Sequence, residues 1–191
     1  MKVNSIIIPI LLSVFITSAC SNGIKNSLDW EIDDFTFVNQ ENNEISLKDL
    51  KGKIWVADFI FTSCSTVCPP MTNNINRLRE MIEKEKLEVN FVSFSVDPTV
   101  DSPSRLKEYG LKFTENLSKW DFLTGYSQEE IEKFAVENFK TLVKKPENDN
   151  QVVHGTSFFL VDKSGKIVKS YDGYKDVPFE EIIEDIKKLN S

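Results

Sequence analysis

The apolar residues of this chain fall into blocks that predict strands and helices in alternation. Ile54–Phe61 is a nearly continuous apolar run, as expected of a strand buried on both faces of a sheet, and Val89–Val96 predicts a second strand. Between these two runs, apolar residues recur every three or four positions over Met71–Ile82, which predicts an amphipathic helix. We therefore expect Ile54–Phe61 to be the first central strand of an α/β sheet.

Further elements continue the alternation to the end of the chain. The other predicted strands are Phe35–Val38, Phe122–Thr124, Phe158–Val161 and Lys166–Tyr171, the last two joined as a hairpin by the turn Asp162–Gly165. The other predicted helices are Ser104–Leu111, Gln128–Asn138 with a capping-box pair at Ser127 and Glu130, and a terminal helix from Pro178 to about Leu189. A polar loop is predicted over Lys144–Gln151. This order predicts a thioredoxin-like α/β fold with a central mixed sheet flanked by helices.

The first residues have the composition of an export signal. A single cation, Lys2, precedes an uncharged run over residues 3–19 that ends in small residues. Its apolar core, Ile6–Ile16, is shorter than the ~20 residues of a transmembrane helix and contains Pro9. The segment Ile16–Cys20 resembles a bacterial lipobox, in which the cysteine becomes a lipid-bearing N-terminus. An ordinary cleaved signal with an incidental cysteine is the alternative.

These features divide the chain into a signal peptide (1–19), a polar tether (20–29) and one domain (30–191). We expect a lipid on Cys20 to anchor the protein to the extracytoplasmic face of the cell membrane. The chain has 191 residues, of which 40% are hydrophobic, which suffices for one sizeable core. Its net charge is −7, and removal of the signal peptide, whose only charged residue is Lys2, makes it −8. This acidic balance argues against nucleic acid as a partner.

Two cysteines lie at the turn between the first central strand and the helix that follows it. Cys64 and Cys68 are separated by three residues, and Pro69 and Pro70 follow directly. A residue before proline is biased away from helix, so we expect Cys68 to end a loop and to face the free N–H groups of the helix. Both features favour the thiolate, which is the form that binds soft metal ions. In an exported protein, a disulfide between the two cysteines is the alternative.

The only histidine of the chain, His154, precedes the predicted strand Phe158–Val161. In a thioredoxin-like fold this loop faces the cysteine turn. Two thiolates and one imidazole suit copper, because sulfur favours Cu(I) and imidazole helps to retain Cu(II). A structural zinc site takes four protein ligands, and with Cys20 blocked by lipid the chain offers only three. A surface or hydrogen-bonded histidine is the alternative interpretation.

Three segments resemble the Sco/SenC family of copper-binding, thioredoxin-like proteins. The most specific is Val56–Met71, which looks like the family's signature with its Cys-x-x-x-Cys ligands. Ser95–Pro103 and Trp120–Gly125 resemble two further family segments, in the same order and spacing. The resemblance extends from about Trp30 to the C-terminus.

The resemblance implies a ligand set and a cofactor. Cys64, Cys68 and His154 match the family's metal-binding positions, so the implied cofactor is copper, as Cu(I) or Cu(II). Val153 and Gly155 depart from the aspartate and serine more often found beside the histidine. The surroundings of the imidazole are therefore expected to differ from the family pattern.

The resemblance further implies a metallochaperone that assists assembly of the copper centre of cytochrome c oxidase. Its partner would be the copper-bearing subunit of the oxidase, together with a copper donor or a thiol reductant. Asp97 and Asp101 are candidates for supporting the metal or for forming the partner surface. As alternatives, Asp97 is a turn residue before Pro98, and Asp101 caps the following helix.

A membrane-tethered thiol–disulfide oxidoreductase or redox sensor without an obligatory metal is the competing function, with Cys64 and Cys68 as its catalytic pair. Ordinary thioredoxin-like oxidoreductases have two residues between their cysteines, whereas this loop has three. A peroxidase would need the pattern Pro-x-x-x-Thr-x-x-Cys, which neither cysteine has. The sequence therefore favours a metallochaperone over an enzyme.

Overall fold

The computed structural model describes residues 23–147, 149 and 151–191. The predicted signal peptide and Cys20 lie outside these residues. No helix in the described part is both long and apolar enough to cross a membrane. Two residues of the predicted tether contact the domain, since Ile24 is buried and the Leu28 N–H donates to the Val168 carbonyl. The boundary at Trp30 stays a prediction, but packed structure begins before it.

A mixed sheet forms the centre of the described fold. Its six strands, in spatial order, are β1 (Trp30–Glu31), β10 (Lys166–Asp172), β9 (Ser157–Val161), β4 (Ile54–Ile60), β5 (Val89–Ser95) and β6 (Trp120–Leu123). Strands β4, β5 and β6 are parallel, whereas β9 is antiparallel to both β4 and β10. As predicted, β4 lies in the middle of the sheet, and all seven of its residues are buried.

Helices and two small ladders surround this sheet. The helices of the described residues are α1 (Leu47–Leu50), α2 (Cys68–Lys84), α3 (Pro103–Gly110), α4 (Gln128–Phe139) and α5 (Phe179–Asn190). The ladders pair β2 (Thr36–Val38) with β3 (Glu44–Ser46), and β7 (Val143–Lys144) with β8 (Val153–His154). The ladder of β7 and β8 encloses most of the predicted polar loop, of which positions 148 and 150 lie outside the description.

Successive residues of β4 point to opposite faces of the sheet and meet different helices. Phe59 packs edge-on against Phe139 of α4, with ring centroids 5.1 Å apart. Asp58 points to the other face, where Arg79 of α2 lies 5.1 Å from the ring centroid of Trp120. Because α2 and α4 cover opposite faces, the sheet is buried on both sides, as its apolar strands predict.

The predicted strands and helices appear in the predicted order, with bounds that differ by a few residues. The capping box is present, because the Glu130 N–H donates to the Ser127 hydroxyl and the Ser127 N–H donates to the Glu130 carboxylate. Gly165 closes the predicted hairpin with φ of +89°, a conformation that glycine adopts without strain. The apolar pattern did not predict β1, β3, β7, β8 or α1, each of which has only two to four residues.

Candidate metal centre

The cysteine loop connects the buried strand β4 with the start of α2. The Cys64 N–H donates to the Phe61 carbonyl at 3.2 Å, which turns the chain at the end of the strand. Helix α2 begins at Cys68, and its N-cap residue Val67 makes no side-chain capping bond. Instead, the Cys68 N–H donates to Cys64 Sγ at 3.4 Å. A sulfur atom therefore satisfies one of the free N–H groups at the helix start.

His154 approaches this loop from β8. Its Nδ1 lies 2.8 Å from the Gly155 carbonyl oxygen, which can only accept, so Nδ1 donates in this hydrogen bond. Nε2 lies 3.3 Å from Cys68 Sγ. The imidazole packs edge-on against Phe61, with ring centroids 5.7 Å apart. The histidine thus presents Nε2 to the sulfur atoms.

The three predicted ligands come together in space. The ligand atoms of Cys64, Cys68 and His154 all lie within 4.8 Å of one another. Cys64 is 6% exposed and Cys68 is fully buried, while His154 is half-buried. Two sulfurs and one imidazole nitrogen form a soft donor set that fits copper in either common oxidation state.

The two thiols differ in acidity, and in the opposite sense to the one expected for Cys68. Hydrogen bonding from Cys68 lowers the pKa of Cys64 to about 3, with a further contribution from His154. The pKa of Cys68 is raised, because its sulfur hydrogen-bonds to Cys64 and is removed from water. The structure does not favour the thiolate expected for Cys68, since the Cys68 sulfur is buried and hydrogen-bonded to Cys64, while the N–H at the helix start points to Cys64 Sγ.

Asp101 is hydrogen-bonded to the residue that lies two positions before Cys64. It is fully buried, and its carboxylate accepts the Thr62 N–H at 3.1 Å, the Thr62 hydroxyl at 2.5 Å and the Ser95 hydroxyl at 2.6 Å. The helix-cap alternative for Asp101 is wrong, because the side chain that caps α3 is Ser102. Asp101 therefore fixes the segment just before Cys64.

Asp97 lies at a turn and carries a buried carboxylate. Its backbone carbonyl accepts the N–H groups of Val100 and Asp101, which makes it a turn residue. Its buried carboxylate forms an ion pair with Lys145, at 2.7 Å from Nζ. Lys145 directly follows β7, and β7 pairs with β8, the strand that contains His154. Asp97 thus contacts the histidine side of the site and not a ligand itself.

Two further groups near the site were not singled out from the sequence. Asp58 is 1% exposed; Ser93 donates to its Oδ1, while its Oδ2 has no hydrogen-bond partner among the described residues. Burial raises the pKa of the Asp58 carboxyl to about 6. A carboxylate inside the apolar run Ile54–Phe61 was the available signal. Lys145 lies in the polar loop, where a lysine gives no signal.

Gly155 explains one departure from the family pattern. A Cβ atom on Gly155 would lie 2.2 Å from Thr141 Oγ1. The neighbouring threonine therefore occupies the space into which a side chain at position 155 would project.

By its class, this protein is a thioredoxin-like domain with two cysteines at a strand-to-helix turn and a histidine that faces them from a separate strand. The family follows from comparison with known proteins: the SCO1/SenC family model matches residues 26–191, and the chain belongs to this family.

Solved structures agree with this assignment. A SCO1/SenC family lipoprotein from Bacillus anthracis is 54% identical with a TM-score of 0.86, over 88% of this chain and 99% of that chain. BsSco, a member of the Sco family of cytochrome c oxidase assembly proteins in which a disulfide switch was identified, is 48% identical with a TM-score of 0.81, over 87% and 96%. ScoI of Bradyrhizobium japonicum, solved with copper bound, is 27% identical with a TM-score of 0.69, over 83% and 99%. The predicted thioredoxin-like fold is confirmed.

Proposed function

We propose that this protein binds one copper ion through Cys64, Cys68 and His154 and assists assembly of the copper centre of cytochrome c oxidase. The observation that carries the proposal is the convergence of the three ligand atoms within 4.8 Å. The similarity to ScoI of Bradyrhizobium japonicum, a copper-bound structure, supports the choice of metal. BsSco belongs to a family of cytochrome c oxidase assembly proteins, which supports the proposed role in oxidase assembly.

The ligands come from two separate segments, which suits a protein that takes up and releases its metal. Cys64 and Cys68 lie on one loop, whereas His154 lies on the short ladder of β7 and β8. Two thiolates alone favour Cu(I), and the addition of Nε2 of the imidazole favours Cu(II). The half-buried imidazole leaves the site open on one side to an incoming donor or to the copper-bearing subunit.

We further propose that the domain is held at the extracytoplasmic face of the cell membrane by a lipid on Cys20. The lipobox-like segment Ile16–Cys20 and the similarity to a Bacillus anthracis lipoprotein support this location. Cys20→Ala is expected to move the protein from the membrane fraction to the soluble fraction while copper binding persists. Equal membrane retention of the variant would point to another anchor.

The decisive cellular test compares His154→Ala with Cys64→Ala in a host that uses this protein for oxidase assembly. If copper handling is the function, both variants lower the level of assembled oxidase by about the same factor, because each removes one copper ligand. Val153→Ala is the matched control, since Val153 is the exposed neighbour of His154, and it is expected to retain wild-type levels. Normal oxidase with His154→Ala, alongside failure with Cys64→Ala, would contradict copper handling.

A second candidate function is reduction of the cysteines of the oxidase subunit. The hydrogen bond from the Cys68 N–H to Cys64 Sγ favours it, because it stabilises Cys64 as the thiolate, the form that attacks a disulfide. Cys64 would attack a partner disulfide and Cys68 would resolve the mixed disulfide, so two partner thiols form as Cys64 and Cys68 become oxidised. This chemistry needs no histidine ligand, so the same His154→Ala variant separates the two functions.

A further inference from the structure

His154 reaches the cysteine loop from a ladder that is weak by itself. Strands β7 and β8 have two residues each, and their register pairs Val143 with His154 and Lys144 with Val153. A two-stranded ladder of this length is not stable alone in water. Contacts outside the ladder must therefore hold the imidazole in place.

Lys145, the residue directly after β7, makes such contacts. Its Nζ lies 2.7 Å from Asp97 Oδ1 and 3.1 Å from Thr99 Oγ1, beyond the end of β5. Its backbone N–H donates to Glu132 Oε1 of α4 at 2.9 Å. The side chains of Lys145 and Asp97 are 23% and 3% exposed, so water screens their ion pair only weakly. Lys145 thus joins the ladder both to the sheet and to α4.

The aspartate that Lys145 contacts is also connected to the cysteine loop. The Asp97 carbonyl accepts the Asp101 N–H at 2.9 Å. The Asp101 carboxylate in turn accepts the N–H and the hydroxyl of Thr62, two residues before Cys64. Hydrogen bonds therefore link the anchor of the histidine ladder to the loop that carries both sulfurs.

We propose that Lys145 is a positioning residue of the metal centre, whose ion pair with Asp97 holds the His154 imidazole at the correct distance from the two sulfurs. It acts through the ladder of β7 and β8 and not as a ligand. Because Cu(II) retention depends on the imidazole, whereas two thiolates suffice for Cu(I), Lys145 sets the preference between the two oxidation states. This inference rests on the proposed copper function.

The first test measures the anchoring without copper, in Lys145→Met. The matched control is Lys144→Met, because Lys144 contacts Glu132 through a side chain that is 64% exposed. Amide hydrogen exchange over β7 and β8 is expected to accelerate about tenfold in metal-free Lys145→Met, the order expected for losing one charge-assisted hydrogen bond. Little change is expected in Lys144→Met. The double variant Lys145→Met/Asp97→Asn leaves no unpaired buried charge. It should show the same acceleration of exchange, which would exclude general unfolding by a buried charge as the cause.

The second test measures copper on the same proteins. Lys145→Met is expected to weaken Cu(II) binding about tenfold and to change Cu(I) binding by less than about twofold, while Lys145→Arg, which keeps the charge, stays near wild type. If the wild type binds copper but Lys145→Met and Lys144→Met behave alike in exchange or in Cu(II) affinity, the positioning role is wrong. If the wild type binds no copper, the proposed function fails, and the exchange experiment still decides the anchoring.

Discussion

The buried carboxyl of Asp58 makes the stability of the metal-free protein depend on pH in a specific way. Burial raises the pKa of this group from 3.8 to about 6, although the hydrogen bond from Ser93 opposes the rise. The folded state therefore favours the protonated form. The protonated Asp58 carboxyl contributes its full stabilisation below about pH 4. This stabilisation is lost as the pH rises through about 6, and the unfolding free energy changes no further from this group above that pH. Asp58→Asn, which cannot ionise, removes this loss.

The size of the effect follows from the pKa. Each pH unit by which a pKa moves is worth about 1.4 kcal/mol, so the full rise amounts to about 3 kcal/mol. Asp58 is 1% exposed, so screening by solvent does not reduce this value much. Relative to wild type, Asp58→Asn should gain about 2–3 kcal/mol of unfolding free energy between pH 4 and pH 7.

The assay is urea unfolding of the reduced, metal-free protein at several pH values, because the difference between variant and wild type cancels all other titrating groups. Asp34→Asn is the control, since Asp34 is an exposed carboxylate. The gain in unfolding free energy of Asp58→Asn over this control is expected to grow from pH 4 to pH 7. A difference between Asp58→Asn and wild type that stays flat from pH 4 to pH 7 would refute the assignment of a raised pKa to Asp58.

Two further predictions concern the immediate surroundings of the ligands. At about pH 5, iodoacetamide should alkylate Cys64 and leave Cys68 unmodified, because the pKa of Cys64 is about 3 and that of Cys68 is raised; equal labelling in peptide mapping would contradict this order. Gly155→Ala should destabilise the protein by about 1–2 kcal/mol, because the added Cβ would lie 2.2 Å from Thr141 Oγ1. Thr141→Ala should recover most of that loss in a double-mutant cycle followed by urea unfolding, and purely additive effects would argue against the clash.

Most of the strands and helices could be predicted from patterns among residues that are neighbours in the sequence. The capping box at Ser127 and Glu130 and the glycine turn at Gly165 depend on neighbouring residues, so they can be read directly from the sequence. Strand β1 cannot, because its two residues form a strand only by pairing with β10, far along the chain. Helix α1 carried a readable signal, since Ser46 and Asp49 form a capping box, but a single turn shows no apolar repeat.

The site was predictable in its ligands but not in its electrostatics. The sequence places Cys64 and Cys68 at a strand-to-helix turn, and the fold order brings His154 opposite them. Which sulfur receives the N–H at the start of α2 depends on the path of the loop, which spacing alone does not determine. The ion pair of Asp97 and Lys145 likewise joins two segments that only the folded chain brings together.

The most direct test of copper binding is anaerobic titration of the reduced full-length protein in detergent, followed by absorption spectroscopy. With Cu(II), the wild type is expected to bind one ion per chain and to gain a sulfur-to-copper charge-transfer band. His154→Ala is expected to lose Cu(II) retention while still binding Cu(I), because two thiolates suit Cu(I). Absence of the band in the reduced wild type, or equal Cu(II) retention by His154→Ala, would contradict a copper centre formed by Cys64, Cys68 and His154.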